Sequence, residues 1–158
     1  MVDLSKIQFN LYHAQIFIYD ENTQRLRLRA GSDQIGRLMV YEKYTLPLTS
    51  RESPVSRAAV SRQAVLEEDI RSQGIDVHPY LPETHSQLAI PITQGEKLLG
   101  VIDLHANTAS FFTAEDIRVY TTLSLQVAVA LQNAYLYAEQ LQTAEQLREV
   151  DRLKSEFL

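Results

Sequence analysis

The sequence predicts an α+β protein in which a central antiparallel sheet is covered by helices on both faces and followed by one long C-terminal helix. Three observations support this class. All five glycines and all five prolines precede residue 101, so only that part of the chain is punctuated by turns. Several segments there show strand patterns, and two are apolar on both faces. Residues 113–158 contain no glycine or proline and repeat apolar side chains at helical spacing.

Composition narrows the classes of function. The chain has 158 residues, 45% of them hydrophobic and 22% charged, which is typical of one globular domain with an extension. The net charge of −5 and the lack of a basic stripe argue against a nucleic-acid partner. No apolar run approaches the roughly 20 residues of a membrane span, and the N-terminus does not resemble a secretion signal. We expect a cytoplasmic fragment without membrane contact.

The first part of the chain is predicted to form a short helix and three strands. A helix over residues 4–11 leads into the domain. Residues 12–19 are rich in aromatic and β-branched side chains and predict a strand covered on both sides. Residues 25–30 alternate cleanly between apolar and basic side chains, which predicts a strand with one solvated face near a sheet edge. Residues 44–48 form a short third strand.

A second helix and a long loop follow. Ser53 is a capping residue before Pro54 at the first helical position, which predicts a helix that runs through Ser61. Residues 64–66 are expected to be extended. Residues 67–83 contain two prolines and a glycine and predict an irregular loop, and loops of this length are usually functional or mobile.

Two strands complete the predicted sheet. Residues 87–92 and 97–106 have strand patterns and are separated by a turn at residues 93–96, which indicates a hairpin. Residues 98–102 have no solvated face, so this strand should lie in the middle of the sheet with both faces covered.

The last segment is predicted to be one helix. Thr113 and Asp116 resemble a capping box, with Asp in place of the usual Glu or Gln. A helix from there to Leu158 would be about 68 Å long at ~1.5 Å per residue. The domain itself should have a radius of gyration of about 15 Å, so the helix must project beyond it. Apolar residues alternate at spacings of three and four, as in a heptad seam: Tyr120, Leu123, Val127, Ala130, Ala134, Tyr137, Leu141 and Ala144.

The projecting part of this helix needs a partner. After Ala144 the heptad phase changes. We expect residues 117–136 to pack on the sheet and residues 141–158 to form a parallel two-stranded coiled coil rather than a lone solvated helix. The predicted dimer contacts are Tyr137, Leu141, Ala144, Leu147, Val150, Leu153 and Phe157. Three ion pairs are predicted along the tail: Glu145 with Arg148, Asp151 with Lys154, and Arg152 with Glu156.

Several stretches resemble the GAF domain family. The C-terminal half of such a domain is matched by residues 100–104 (GVIDL), 112–116 (FTAED) and 131–137 (LQNAYLY). The loop and strand before it are matched by residues 81–92 (LPETHSQLAIPI), and the first core strand by residues 12–20. The resemblance covers about residues 9–137 in consistent order and spacing.

The tail adds an independent resemblance. Residues 151–158 (DRLKSEFL) are similar to the run that leads into the phospho-accepting histidine helix of sensor histidine kinases. This implies a sensory module immediately upstream of that helix. No kinase ATP-binding motif is present in these residues. The implied division is an N-terminal helix at residues 1–11, a GAF-like domain at 12–137 and a coiled-coil-like signalling helix at 138–158.

The resemblance also implies a ligand pocket between the sheet and the loops crossing one face, here residues 41–57 and 75–87. Two positions depart from the family pattern. Gln87 stands where many members carry Glu, and Glu52 stands where Gly is frequent, so the turn before Ser53 is expected to differ. The candidate pocket residues are Tyr41, Arg57, His78, Tyr80, His85 and Gln87.

The identity of a ligand stays open, and so does its existence. The chain has no cysteine, which excludes a thioether-linked bilin and a cysteine-ligated iron–sulfur cluster. Haem would need an axial ligand, for which His78, His85 or His105 are available. His105 alternates with Asp103 on the last strand, so a hydrogen-bonded or exposed pair is the stronger expectation. A cyclic nucleotide is possible in GAF-like folds, but this sequence has no glycine loop that could cradle its phosphate. No metal site is predicted.

Three functions remain. The sequence favours a non-catalytic sensory and dimerisation domain of a sensor histidine kinase that relays ligand- or partner-induced change through its C-terminal helix. A haem- or small-molecule-binding redox or gas sensor and a ligand-free structural dimerisation module are the alternatives. An enzyme is disfavoured because its only candidate groups are the acidic run at residues 67–69 and the Asp103–His105 pair. No metalloprotease motif or nucleophile elbow is present.

Overall fold

The computed structural model describes residues 1–158 as four helices and six strands. In chain order the elements are α1 (Val2–Gln8), β1 (His13–Asp20), β2 (Arg25–Gly31), α2 (Asp33–Tyr41), β3 (Thr45–Pro47), α3 (Pro54–Ser61), β4 (Val65–Glu67), β5 (Ser86–Gln94), β6 (Lys97–Ala106) and α4 (Ala114–Phe157).

All six strands form one antiparallel sheet in the order β3-β2-β1-β6-β5-β4. The two central strands, β1 and β6, are those whose sequences lack a continuous solvated face, as predicted. They lie unusually close at Gly100, because a Cβ placed there would be 2.1 Å from the carbonyl oxygen of Phe17. The predicted hairpin between β5 and β6 is confirmed, with Gln94 paired to Lys97.

Helices cover both faces of the sheet, which confirms the predicted fold class. Helices α1 and α4 pack on one face, in a core that includes Leu88, Leu104 and Tyr120. Helices α2 and α3 and the loop before β5 cover the other face, in a core that includes Phe17 and Leu81. Successive residues of one strand point to opposite faces, so β5 and β6 contribute to both cores.

Helix α2 was not predicted and is a correction. Gly31 and Gly36 suggest a turn by sequence rules. In the structure they allow α2 to approach the end of β2, because a Cβ placed on Gly36 would lie 2.1 Å from the carbonyl carbon of Gly31. Helix α1 also differs from the prediction. It ends at Gln8 rather than at residue 11, because Asn10 adopts a left-handed φ of 53° that a helix does not continue through.

Helix α4 begins as predicted, with a capping box between Thr113 and Asp116. It continues without interruption to Phe157 and crosses the expected boundary at residues 137/138. Every residue from Asn133 to Leu158 is exposed, so the predicted projection beyond the globule is confirmed. None of the helices combines the length and apolarity that crossing a membrane requires.

The buried face of α4 differs from the predicted seam in its first half. Ala130 is exposed, whereas Ser124 and Ala128 are buried beside Tyr120. A straight α-helix repeats every 3.6 residues and drifts away from a seven-residue repeat, so the sheet contacts follow spacings of four.

The ion pairs of the tail also differ from the prediction. Arg152 bonds to Glu156 as expected, with 2.6 Å between Nη1 and Oε1, and additionally to Glu149 at 2.6 Å. The predicted Glu145–Arg148 and Asp151–Lys154 pairs do not form. The guanidinium of Arg152 is forked and can serve two carboxylates at once, whereas long exposed side chains gain little from a single pairing.

Candidate functional site

A cavity of about 210 Å³ lies on the face of the sheet that α2 and α3 cover. Its floor is formed by β1, β5 and β6, and its walls by the turn into α3 and the loop before β5. The lining residues are Gln15, Phe17, Tyr44, Leu46, Ser50, Glu52, Ser53, Pro54, Val55, Asp76, Val77, His78, Leu81, Gln87, Asp103 and His105.

The floor is organised around the carboxylate of Asp103, which is fully buried. Its Oδ1 accepts a hydrogen bond from Gln87 Nε2 at 2.7 Å, and its Oδ2 accepts from Gln15 Nε2 at 2.7 Å and from His105 Nε2 at 2.8 Å. Burial alone would raise the pKa of Asp103. The positive charge of His105 and the three hydrogen bonds outweigh burial and hold the pKa below its ordinary value. The floor therefore carries an ionised carboxylate.

His105 extends this arrangement toward the loop. Its Nδ1 lies 3.0 Å from the hydroxyl of Thr84, and that hydroxyl lies 3.1 Å from the carbonyl oxygen of Leu81. The expectation of a hydrogen-bonded Asp103–His105 pair is confirmed. Both ring nitrogens of His105 thus contact protein groups, and the pair ties β6 to the loop that covers the cavity.

A second branch runs from the floor to the start of α2. Gln15 Oε1 accepts from His13 Nε2 at 3.0 Å, because the amide nitrogen of Gln15 already donates to Asp103. His13 Nδ1 lies 3.1 Å from Ser32 Oγ, which itself accepts from the backbone N–H of Ala14 at 3.0 Å. Burial, and then the positive charge of His105, lower the pKa of His13 to about 4. His13 is therefore a neutral imidazole that accepts the Ser32 hydroxyl proton at Nδ1.

The upper wall of the cavity is aromatic. The rings of Tyr44 and His78 meet edge to face with centroids 4.6 Å apart, and Phe17 lies 6.0 Å from Tyr44. Burial, and then the negative charge of Asp103, raise the pKa of Tyr44 above its ordinary value. Burial lowers the pKa of His78, which favours its neutral form. This aromatic part of the wall is thus uncharged. The rest of the lining includes the carboxylates of Glu52 and Asp76.

Two of the six predicted pocket residues line the cavity, His78 and Gln87. Tyr80 lies behind His78, with ring centroids 5.2 Å apart, and donates its hydroxyl hydrogen bond to Glu42 Oε1 at 2.8 Å. Tyr41 is 83% exposed at the end of α2 and does not reach the cavity.

The other two predicted residues are placed elsewhere. Arg57 forms a salt bridge with Glu67 of β4 and lines a separate surface groove beside α3. Glu67 is buried, so the acidic run at residues 67–69 is not wholly solvated. His85 contributes backbone bonds only: its N–H donates to Ala106 at 2.8 Å and its carbonyl accepts from Ile70 at 2.8 Å.

The sequence prediction missed Gln15 and Tyr44 as cavity residues. It named Asp103 as the partner of His105 and as an enzyme candidate, but not as a pocket residue. A signal for two of them was present. Gln15 and Asp103 are polar residues next to apolar runs of buried strands, and a buried polar side chain is more informative than an exposed one. Their contact follows from the register, in which Gln15 pairs with Asp103 across β1 and β6. Tyr44 had no comparable signal.

The cavity is small for a haem, with a volume of about 210 Å³. Of the three histidines named as possible axial ligands, His105 uses both ring nitrogens and His85 is not a lining residue. His78 lines the cavity and accepts the N–H of Tyr80 at Nδ1, which leaves Nε2 without a protein partner. Typical pockets for drug-sized ligands begin at roughly 300 Å³. No group of three or more His, Cys, Asp or Glu side chains is arranged to hold a metal ion.

Comparison with known proteins identifies the family. The sequence profile of the GAF domain family matches residues 4–132. Curated protein sequences give no match. Many solved structures share the fold.

One is the GAF domain of a phosphoenolpyruvate-protein phosphotransferase from Coxiella burnetii, with a TM-score of 0.75, 19% identity and coverage of 85% of this chain and 80% of that chain. The second is a free methionine-R-sulfoxide reductase from Neisseria meningitidis in complex with its substrate, with a TM-score of 0.72, 12% identity and coverage of 85% and 75%. The third is the second GAF domain of DevS from Mycobacterium smegmatis, with a TM-score of 0.67, 16% identity and coverage of 87% and 93%.

At these identities the structural neighbours establish the fold alone. The family profile covers most of the chain, and its span includes every strand and the sheet-packed half of α4. The chain therefore belongs to the GAF domain family of sensory and ligand-binding modules.

Proposed function

We propose that this GAF domain is the non-catalytic sensory and dimerisation domain of a sensor histidine kinase, and that α4 relays ligand- or partner-induced change from the cavity to a kinase core. One observation carries the proposal. Helix α4 continues for more than twenty residues beyond the last residue that touches the globule, and apolar side chains along this exposed segment have no cover. Such a helix is marginal alone in water.

A second copy of the chain is the partner that fits this segment best. Exposed apolar residues recur in the tail, with Leu147, Val150, Leu153 and Phe157 at spacings of three and four. Two identical stripes are complementary to each other in a parallel coiled coil, which has the two-fold symmetry of most homodimers. The predicted upstream contacts Tyr137 and Leu141 are exposed as well.

The cavity and the helix share the same strands, which supports a relay between them. On β5, Gln87 lies at the cavity floor and Leu88 lies in the core beneath α4. On β6, Asp103 likewise lies at the cavity floor and Leu104 lies in the core beneath α4. A shift of either strand on ligand binding must therefore act on the side chains that position α4. The relay requires a ligand or partner that binds the two arrangements with different affinity.

The kinase assignment is supported by the similarity of residues 151–158 to the run before a phospho-accepting histidine helix. It is tested by the coding sequence that follows Leu158 in the source genome. That sequence should encode the histidine helix and an ATP-binding domain. A stop codon, or an unrelated output domain, would contradict the kinase assignment and leave the dimerisation proposal intact.

The non-catalytic part of the proposal must be set against the reductases that share the fold. Reduction of a sulfoxide needs a group that supplies electrons, and a thiolate is the usual protein group for thiol redox chemistry. This chain contains no cysteine. Asp103 and His105 are the only buried acid–base pair at the cavity, and both are engaged in hydrogen bonds that hold the sheet and loop together. These features favour sensing over turnover.

Dimerisation is tested by sedimentation equilibrium of three versions of the chain. The unaltered protein should be a dimer. A double variant, Leu147→Glu with Val150→Glu, places charge on the apolar stripe and should be monomeric. The matched control, Arg148→Gln with Ser155→Glu, changes the net charge by the same amount on the opposite face and should remain a dimer. A monomeric unaltered chain at high concentration would contradict the proposed relay.

A further inference from the structure

We infer that the cavity above Asp103 takes a small organic cation, with a primary ammonium group directed at the floor. This inference rests on the proposed sensory function and specifies the chemical class of its ligand. Four features of the cavity lead to it: its charge, a free acceptor on its floor, its aromatic wall and its volume.

The lining is acidic in every protonation state of its histidines. Glu52, Asp76 and Asp103 contribute three carboxylates, and His78 and His105 are the only basic side chains. No lysine or arginine is among the lining residues. With three negative charges against at most two positive ones, the ionised cavity keeps a net negative charge. A cation is attracted by that charge and an anion is repelled.

The floor also offers a free acceptor. Gln87 lines the cavity, and its Nε2 donates to Asp103 Oδ1 at 2.7 Å. The Oε1 atom of the same amide accepts no hydrogen bond from the protein and is not sealed from solvent. It can therefore accept a hydrogen bond from a ligand in the cavity. An ammonium group placed beside Oε1 would also be close to the Asp103 carboxylate.

The aromatic wall suits a cation as well. Phe17 and Tyr44 line the cavity, with ring centroids 6.0 Å apart, and the negative face of an aromatic ring attracts a positive charge within about 6 Å. The hydroxyl of Tyr44 makes no hydrogen bond within the protein, so it is free to accept from a ligand.

An anion gains little at this site, even though α3 begins in the cavity wall. The side chain of Ser53 accepts from the N–H of Ser56, and Pro54 has no N–H to offer. Only the amide of Val55 remains free in the first turn. One amide does not outweigh the surrounding carboxylates, so a phosphate or a cyclic nucleotide is disfavoured.

The volume favours a small ligand. A cavity of about 210 Å³ is below the roughly 300 Å³ at which pockets for drug-sized ligands begin. A short alkylammonium ion is well below that size.

The test compares three probes with the same hydrocarbon chain: n-butylammonium chloride, n-butanol and sodium butyrate, at equal ionic strength. The chain is labelled with ¹⁵N, and the side-chain amide signals of Gln15 and Gln87 are followed during titration. Butylammonium should cause a saturable shift of both signals. Butyrate should bind at least about tenfold more weakly, because electrostatic complementarity selects against the wrong charge.

Paired variants connect this preference to the cavity. Glu52→Gln with Asp76→Asn removes two lining carboxylates and leaves the floor intact, and the Kd of butylammonium should rise about tenfold. The control, Glu21→Gln with Glu96→Gln, removes the same charge from exposed turns and should leave the Kd unchanged. Three results would overturn the inference: no saturable response to butylammonium, butyrate binding as tightly, or lining and control variants behaving alike.

This outcome is separable from that of the proposed function. If the chain is monomeric in sedimentation but binds butylammonium as described, the relay fails and the cation site stands. If the chain dimerises through its tail but butyrate binds best, the ligand class is wrong and the relay stands.

Discussion

The two halves of α4 lie in opposite environments, although they belong to one uninterrupted helix. Its first half packs Tyr120 and Ala128 into a closed core against the sheet. Its second half carries Leu147 and Phe157 into solvent, with Phe157 87% exposed. The comparison shows which part of the molecule is complete. The globule satisfies most of its buried polar groups internally, with three hydrogen bonds on the Asp103 carboxylate alone. The exposed second half of α4 instead carries an apolar stripe that only a partner can cover.

The largest expected difference between the two regions concerns a carboxylate. Asp103→Ala removes the common acceptor of Gln15, Gln87 and His105, and it should lower the free energy of unfolding by about 3–5 kcal/mol. Asp151→Ala, on the exposed second half of α4, should change the free energy of unfolding by less than about 0.5 kcal/mol. Urea denaturation followed by circular dichroism measures both. Equal effects of the two variants would show that the Asp103 network does not stabilise the fold.

A smaller effect is expected from pH, and again only in the globule. The pKa of His13 is about 4 in the folded protein, against about 6.5 in an unfolded chain. Between pH 6.5 and pH 4 the His13 side chain is mostly protonated in the unfolded chain but mostly neutral in the folded protein. The free energy of unfolding therefore falls as the pH decreases through this window. The free energy of unfolding should drop by about 2 kcal/mol between pH 7 and pH 5 from this residue.

The contribution of His13 is isolated by repeating the denaturation with His13→Gln, which keeps a polar side chain but does not titrate. The loss of stability between pH 7 and pH 5 should be smaller in the variant by about the same 2 kcal/mol. If the variant and the unaltered chain lose equal stability over this range, His13 is not held neutral by its burial.

The smallest expected effect comes from Tyr120, whose buried hydroxyl has no hydrogen-bond partner. Tyr120→Phe removes that hydroxyl and keeps the ring, so it should leave stability unchanged or raise it by up to about 1 kcal/mol. Tyr137→Phe, on the exposed half of the same helix, is the matched control and should have no effect. A clear loss of stability in Tyr120→Phe would mean that the hydroxyl is hydrogen-bonded in solution.

Local patterns were sufficient to predict most of the fold. The capping residues Ser53 and Thr113 placed the starts of α3 and α4. Strand composition, alternation and turn signals placed the strands with shifts of one or two residues. Helix α2 was missed because of Gly31 and Gly36. These glycines allow β2 and α2 to pack closely, and no local sequence rule distinguishes that use of glycine from a turn.

The candidate site was less predictable. Both predicted pocket segments contribute residues to the lining of the cavity, among them His78 and Gln87. Tyr41 and Tyr80 do not line it, because a segment assignment cannot tell which way a loop or helix-end side chain points. The Asp103 network depends on the register between three strands, and register is a property of the assembled sheet rather than of any one segment.

The pairing of the exposed second half of α4 with a second copy of the chain is tested most directly by cysteine crosslinking. The chain has no native cysteine, so Val150→Cys creates a unique thiol on the apolar stripe, and Ser155→Cys creates one on the opposite face. In a parallel, in-register coiled coil, two copies of residue 150 approach within disulfide range, whereas two copies of residue 155 do not. Mild oxidation should therefore convert Val150→Cys to a covalent dimer and leave Ser155→Cys monomeric on a denaturing gel. No crosslink at residue 150, or equal crosslinking at both positions, would contradict the account.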